Sequence, residues 1–249
     1  MVNRDGGFRD RIMTEIIIDI ETIPDLEYGK EYMNLDGLAD QDIIRAMTFR
    51  FLQQSGSEFP PLNMHKIIAI SFLKVSSEKT SMKTLSIDEY TEEAMLRSLH
   101  EELENGVSRL ISWNGLAFDL PVIQIRSMIY ELVSSEIFIL PSRHLDLKNE
   151  ISFAQTDKIQ GLGTLSKQMG STGKPLDSGK MVWDLYLEKA FSEIAEYCES
   201  DVINTYLIYL SYKVLSRIID NKEKQSKLKE LIEFIKNHNP SHMTLIKKS

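Results

Sequence analysis

Residues 15–24 read Glu-Ile-Ile-Ile-Asp-Ile-Glu-Thr-Ile-Pro, and the fold depends on how this stretch is taken. Glu15 to Ile20 is short and β-branched, follows a polar segment, and is stopped by Pro24, which predicts a strand. Alternate strand side chains point to opposite faces, so Asp19 and Glu21 share one face while Ile18 and Ile20 take the other. Two acids side by side at the end of an apolar strand repel each other and are costly near a core unless a cation joins them. Magnesium or manganese, which favour oxygen ligands, would supply that charge.

On either side of this strand the chain punctuates itself into further elements. A second strand is expected at Lys66 to Val75, and the connection Asp25 to Met64 is too long for a plain loop. Its centre, Asp40 to Gln53, has Asp40 as a capping residue and Ile43, Ile44, Met47 and Phe51 at helical spacing, so it reads as a helical insertion closing with Phe-Pro-Pro-Leu. Lys83 to Ser86 reads as a third strand. Thr91 to Asn105 reads as a helix with Met95, Leu96, Leu99 and Leu103 on one face, Thr91 as its cap and Gly106 at its end. Arg109 to Trp113 follows as a strand, Pro121 to Leu132 as a helix, and His144 to Leu147 as a last short strand. Helices are expected at Leu162 to Met169, Ser192 to Ile219 and Lys222 to Asn237. Strands in a run, then alternating with helices, fit an α/β mixed sheet covered on both faces.

Composition narrows the function classes. With 42% hydrophobic and 27% charged residues, the chain is neither disordered nor fibrous, and no apolar run reaches the length of a membrane helix. The first fourteen residues are polar and lack the apolar centre of a secretory signal, so a cytoplasmic protein with no membrane partner is expected. Cys198 is the single cysteine, which excludes an internal disulfide and a multi-thiolate zinc site. The net charge of −8 argues against a plain nucleic-acid binder, though less so if divalent ions neutralise site carboxylates. From Lys213 to Ser249 nine Lys or Arg stand against four Asp or Glu; a solvated helix face is the ordinary reading of that tail, and a phosphate contact the alternative.

Two further segments carry acids in suggestive places. Trp113 to Pro121 reads Trp-Asn-Gly-Leu-Ala-Phe-Asp-Leu-Pro: Asn114-Gly115 signals a turn, and Asp119 is presented at the start of the next helix. In Glu196 to Leu210, Tyr197 and Asp201 are four apart on a periodic helix and so share a face. Taken singly, each piece has a plain structural reading as a strand end, a helix N-terminal acid or a packed ring. Two-metal phosphodiester hydrolysis needs several converging carboxylates, with ions roughly 3.5–4 Å apart, and these three segments offer such a set.

Asp19 to Asp25 (DIETIPD), Asn114 to Pro121 (NGLAFDLP) and Tyr197 to Asp201 (YCESD), in that order, resemble the three motifs of the DEDD superfamily of 3′–5′ exonucleases, in its tyrosine (DEDDy) subgroup. The wording is most similar to stand-alone predicted exonucleases related to the proofreading domain of family B DNA polymerases. Phe59 to Ser71 and Ser178 to Tyr186 extend the resemblance, which spans about Ile16 to Tyr212. The resemblance implies a ribonuclease H-like fold, a mixed five-stranded sheet flanked by helices. On it the chain divides into a polar leader 1–14, an exonuclease domain 15–220 with a helical insertion 25–64, and a C-terminal helix and basic tail 221–249. It also implies release of nucleoside 5′-monophosphates from the 3′ end of single-stranded nucleic acid, DNA favoured, with two Mg2+ or Mn2+ ions. Asp19 would bridge both ions, Glu21 and Asp201 would complete the shell of one, and Asp119 would hold the other, through water. Tyr197 would orient the attacking water; in the histidine subgroup that residue lies five before the last aspartate, where this chain has Glu196. Thr22, Ile23, Trp113, Asn114, Phe118, Lys174, Ser178 and Lys180 are the implied substrate contacts, and replication or repair proteins the implied partners. The same motifs fit an exoribonuclease of identical mechanism, or a non-catalytic nucleic-acid-binding relative.

Other candidates are set aside. Gly170 to Pro175 lacks the Walker pattern, with Gln168 where glycine is needed and Pro175 where Ser or Thr is needed. His65 and His144 have no partner at metal spacing and read as structural, Asp146 as a supporting acid near the site, and Cys198 as a packed helix residue. Phe49, Phe51 and Phe59 read as packing within the insertion rather than as base-stacking rings.

Overall fold

The computed structural model describes residues 14–104, 106–171 and 179–246; the leader before Thr14 lies outside them. The expected first strand is longer than Glu15 to Ile20: β1 runs Thr14–Pro24, and five strands form one sheet in the order β3-β2-β1-β4-β5. After β1 come helices α1 (Leu26–Tyr32) and α2 (Asp40–Ser55), strands β2 (His65–Val75) and β3 (Thr80–Ser86), α3 (Glu92–Glu104) and β4 (Val107–Ser112). The chain continues through α4 (Asp119–Ile129), the short α5 (Glu136–Ile139), β5 (His144–Asp146), α6 (Leu147–Ile151) and α7 (Leu162–Gln168). It closes with α8 (Gly179–Leu187), α9 (Phe191–Leu215) and α10 (Asn221–His238).

β1, β2 and β3 pair antiparallel, whereas β4 joins β1 and β5 joins β4 in parallel, which makes the sheet mixed. Strand alternation sorts the isoleucines of β1. Ile16, Ile18 and Ile20 pack with Met95, Leu96, Leu99 and Leu103 of α3 and with Val122 and Ile123 of α4. Ile17 packs on the other face with Val202, Ile203 and Tyr206 of α9 and with Leu231 and Ile235 of α10. Asp19 and Glu21 continue the Ile17 face, towards α9. Each face of the sheet is therefore sealed by helices, and the central strand is hydrophobic on both sides as its composition requires.

Helix starts follow local chemistry. Thr91 accepts the backbone N–H of Ala94 at 3.2 Å and Gly106 takes a positive φ of 75°, bracketing α3 as expected. In α2 the residue before the helix is Ala39, with no side-chain cap, and Asp40 is the first helical residue; the acid acts there on the helix dipole rather than as a cap. Helix α1 was not expected, because it buries only Leu26 and Gly29 and so shows no apolar stripe. Its support comes from Asp25, which accepts the N–H groups of Glu27 and Tyr28, and from Gly29, where a Cβ would lie 2.7 Å from Ile43.

The end of β1 is locked from the outer side. Arg126 of α4, buried, donates to Asp25 at 2.6 Å and to Glu92 at 2.8 Å, while Glu92 also accepts the N–H of Ile67 at 2.7 Å. A bidentate guanidinium thus ties β1, β2, α3 and α4 at one point, with its charge matched by two carboxylates. Among the described residues, no helix is long and apolar enough to cross a membrane.

Candidate active site

Between β1 and α9 a cleft of about 340 Å³ opens, and Asp19, Glu21, Asp119, Tyr197 and Asp201 all line it. Three chain segments converge there. β1 brings Asp19 and Glu21, the turn after β4 brings Asp119, and one turn of α9 brings Tyr197 and Asp201. Trp113, Asn114 and Phe118 share the lining.

Exposure falls to 8% for Glu21 and 4% for both Asp119 and Asp201, so the acids are mostly removed from water. Concentrating carboxylates in so dry a place is expensive unless cations join them. Asp119 registers the expense: burial, then the charges of Asp146 and Asp201, push its pKa up to about 7, against the backbone N–H groups of Ile20 and of Asp119 itself, which hold it down. Near neutral pH this carboxyl is poised to release a proton when a cation arrives.

The Asp119 turn is built with care for its backbone. Asn114 takes a left-handed φ of 67°, which asparagine tolerates. Gly115 lies so close to Ser112 that a Cβ would stand 2.7 Å from that residue's Cβ and closer still to its hydroxyl. Asp146, at the end of β5, accepts the N–H groups of Asn114 at 2.9 Å and Leu116 at 3.0 Å, and also caps α6 through Asn149. The expected supporting acid is thus the staple of the turn. His144 bonds Ser112 at 2.9 Å, and His65 bonds Thr22 at 2.9 Å and the carbonyl oxygen of Pro60 at 3.1 Å; burial lowers the pKa of both histidines, which fits structural roles.

Asp19, Glu21 and Cys198 offer ligand atoms within 4.8 Å of one another. The thiol is not a matching donor. Burial, then the charges of Asp19 and Glu21, raise its pKa well above the ordinary value, and it donates to the carbonyl oxygen of Asp19 at 3.3 Å. The remaining donors are carboxylate oxygens, a set suited to magnesium or manganese and ill suited to soft ions.

The other expected substrate contacts fall differently. Thr22 and Ile23 do not line the cleft: β1 continues past the acids, and both residues pair with β2, opposite Ile67 and Lys66. Ile23 is fully buried among Leu26, Ile43 and Trp183, and the Thr22 carbonyl accepts the indole N–H of Trp183 at 3.1 Å. Lys174 and Ser178 lie outside the described residues, as does the side chain of Lys180. Lys148, Gly161 and Leu162 line the cleft without having been singled out in the sequence. The one available signal was the position of Lys148 two residues beyond Asp146.

Residues 57–142 and 138–248 match the family described as predicted 3′–5′ exonucleases related to the exonuclease domain of PolB. The chain belongs to this exonuclease family. The match takes in Asp119, Tyr197 and Asp201, whereas Asp19 and Glu21 precede it and join the set through the strand geometry. Among solved structures, the family B DNA polymerase from the hyperthermophilic archaeon Pyrobaculum calidifontis is similar, with a TM-score of 0.55 at 13% identity. The likeness covers 82% of this chain and 24% of the polymerase, so the exonuclease-family chain spans about a quarter of that protein. At this identity the similarity speaks for the fold, which is ribonuclease H-like. No curated protein matches the chain.

Proposed function

We propose that this chain hydrolyses single-stranded nucleic acid, DNA in preference to RNA, from the 3′ end by a two-metal-ion mechanism that releases nucleoside 5′-monophosphates. The observation that carries the reading is the convergence of Asp19, Glu21, Asp119 and Asp201 with Tyr197 in one cleft. Family membership supports the exonuclease class, and the order of the three segments supports the tyrosine subgroup.

Bound magnesium or manganese would supply Lewis acidity towards the phosphodiester and make water a better nucleophile. Asp19 and Glu21, on one face of β1, would hold one ion with Asp201, and Asp119 would serve the second with Asp19. The phenol of Tyr197, one helical turn before Asp201, would orient the attacking water. Trp113 and Phe118 would give the terminal base and sugar an apolar wall, and Asn114 a polar edge.

The deciding experiment digests DNA and RNA oligonucleotides, single- and double-stranded and labelled at the 5′ end, with each metal in turn. A ladder of products shortened from the 3′ end, fastest on single-stranded DNA, is the expected result, abolished by Asp19→Ala and by EDTA. A wild-type chain that leaves every substrate intact, or an Asp19→Ala variant as active as wild type, would refute the mechanism.

A further inference from the structure

We propose that Lys148 is a substrate-binding residue of this cleft, holding a phosphate of the bound strand other than the one at the bond being cut. The inference rests on the exonuclease reading and adds to it a contact that none of the three motifs contains.

Lys148 is the basic residue among the described residues that line the cleft, facing a wall that otherwise carries Asp19, Glu21, Asp119 and Asp201. It is half-buried rather than free in solvent. It follows the fully buried Leu147 on α6, and the first turn of that helix is capped by Asp146, the same carboxylate that staples the Asn114 and Leu116 backbone. The lysine and Asp119 are therefore positioned through one shared acid.

Among the described residues, no carboxylate forms an ion pair with Lys148. It lies within the same opening as the four acids. A lysine has a compact, hydrated charge suited to a phosphate oxygen and needs no bidentate geometry. The phosphate at the bond being cut belongs beside Asp19 and Glu21, where the ions would sit. The group left for Lys148 is a neighbouring phosphate of the same strand.

A contact to a non-reacting phosphate contributes equally to ground state and transition state, so its loss should raise KM and spare kcat. The test compares wild type with Lys148→Ala, Lys148→Gln and Lys148→Arg on a single-stranded oligonucleotide over a range of salt concentrations. Lys148→Ala and Lys148→Gln are expected to raise KM by about tenfold, and to flatten log KM against log salt by about 0.7, the share of one phosphate on a single strand. Lys148→Arg, which keeps the charge, should restore both. The same weakening should appear without turnover, when oligonucleotide binding is followed by fluorescence anisotropy in an Asp19→Ala background. An active wild type with unchanged KM, salt slope and binding in Lys148→Ala overturns the assignment alone, and so does a loss confined to kcat. A wild type that degrades no oligonucleotide overturns the exonuclease reading and this assignment with it.

Discussion

Asp119 accepts the backbone N–H of Ile20 at 3.2 Å, fastening the acid at the head of α4 to the residue that separates Asp19 from Glu21. Ninety-nine residues apart in the chain, the two segments thereby share one site. Asp119 is thus both a candidate metal ligand and a clasp, and substitution can separate the roles. Asp119→Asn keeps an acceptor for Ile20 and resembles the protonated acid that burial already favours, with its pKa pushed up to about 7. It should melt within a few degrees of wild type, lose degradation of an oligonucleotide, and lose most of the stabilisation by manganese that binding to the native state alone confers. Asp119→Ala orphans a buried N–H and should cost roughly 1–3 kcal/mol besides. Calorimetry with and without manganese checks both. Equal manganese shifts in wild type and Asp119→Asn would exclude Asp119 from the metal site.

Tyr197 is 7% exposed, and its ring packs with Ile194 and Trp183 while the residue lines the cleft. Tyr197→Phe keeps the ring and removes the hydroxyl. The expected result is a fall in kcat of roughly tenfold to ten-thousandfold, the range for a positioned group, with the melting temperature little changed. Single-turnover kinetics on a labelled oligonucleotide measure it. A variant as fast as wild type would mean that another group orients the water.

The β1 stretch was legible because alternation is local: Ile16, Ile18 and Ile20 on one face and Ile17 on the other follow from sequence spacing alone. Asp119 was legible through the turn signal that precedes it, and Tyr197 and Asp201 through their four-residue spacing on one periodic helix. What spacing could not give was where β1 stops. Thr22 and Ile23 sit next to Glu21 in sequence, but pairing with β2 carries them into the sheet, a tertiary fact with no local trace. Lys148 was missed for the converse reason, because α6 is a five-residue helix without a periodic face and its lysine reaches the cleft only through the Asp146 staple. Helix α8 escaped as well: its apolar residues Val182, Trp183 and Leu185 bury themselves among residues of α2 and β1.

Gly115 offers a test of the turn that presents Asp119. A Cβ there would press on Ser112, whose hydroxyl is engaged by His144, and Ser112 is itself fully buried in β4. Ser112 therefore has no room to withdraw, and Gly115→Ala should destabilise the fold by about 1–3 kcal/mol, the usual range for overpacking. Because the turn must shift, activity should fall further than the stability loss explains. Urea unfolding gives the first quantity and oligonucleotide degradation at a temperature where the variant stays folded gives the second. Wild-type values of both would show that the turn yields without moving Asp119.

Glu199 extends the argument from α9 to the C-terminal segment. It accepts the hydroxyl of Thr84 at 2.7 Å, lies 2.7 Å from the ring Nε2 of His242, and has His238 at 3.5 Å. Burial pushes its pKa up, but the hydrogen bonds from His242 and Thr84 and the charge of the two histidines outweigh that and hold it below the ordinary value. A carboxylate with a depressed folded-state pKa adds stability above its unfolded value, near 4.3, and loses that contribution as pH falls through the folded value. Glu199→Gln should therefore melt below wild type at pH 7, and the gap should close as the pH is lowered from about 4.5 towards 3. Melting curves of both proteins across that range decide the matter. A gap that stays constant with pH would assign the contribution of Glu199 to shape rather than charge. A gap that widens on acidification would reverse the sign of its linkage.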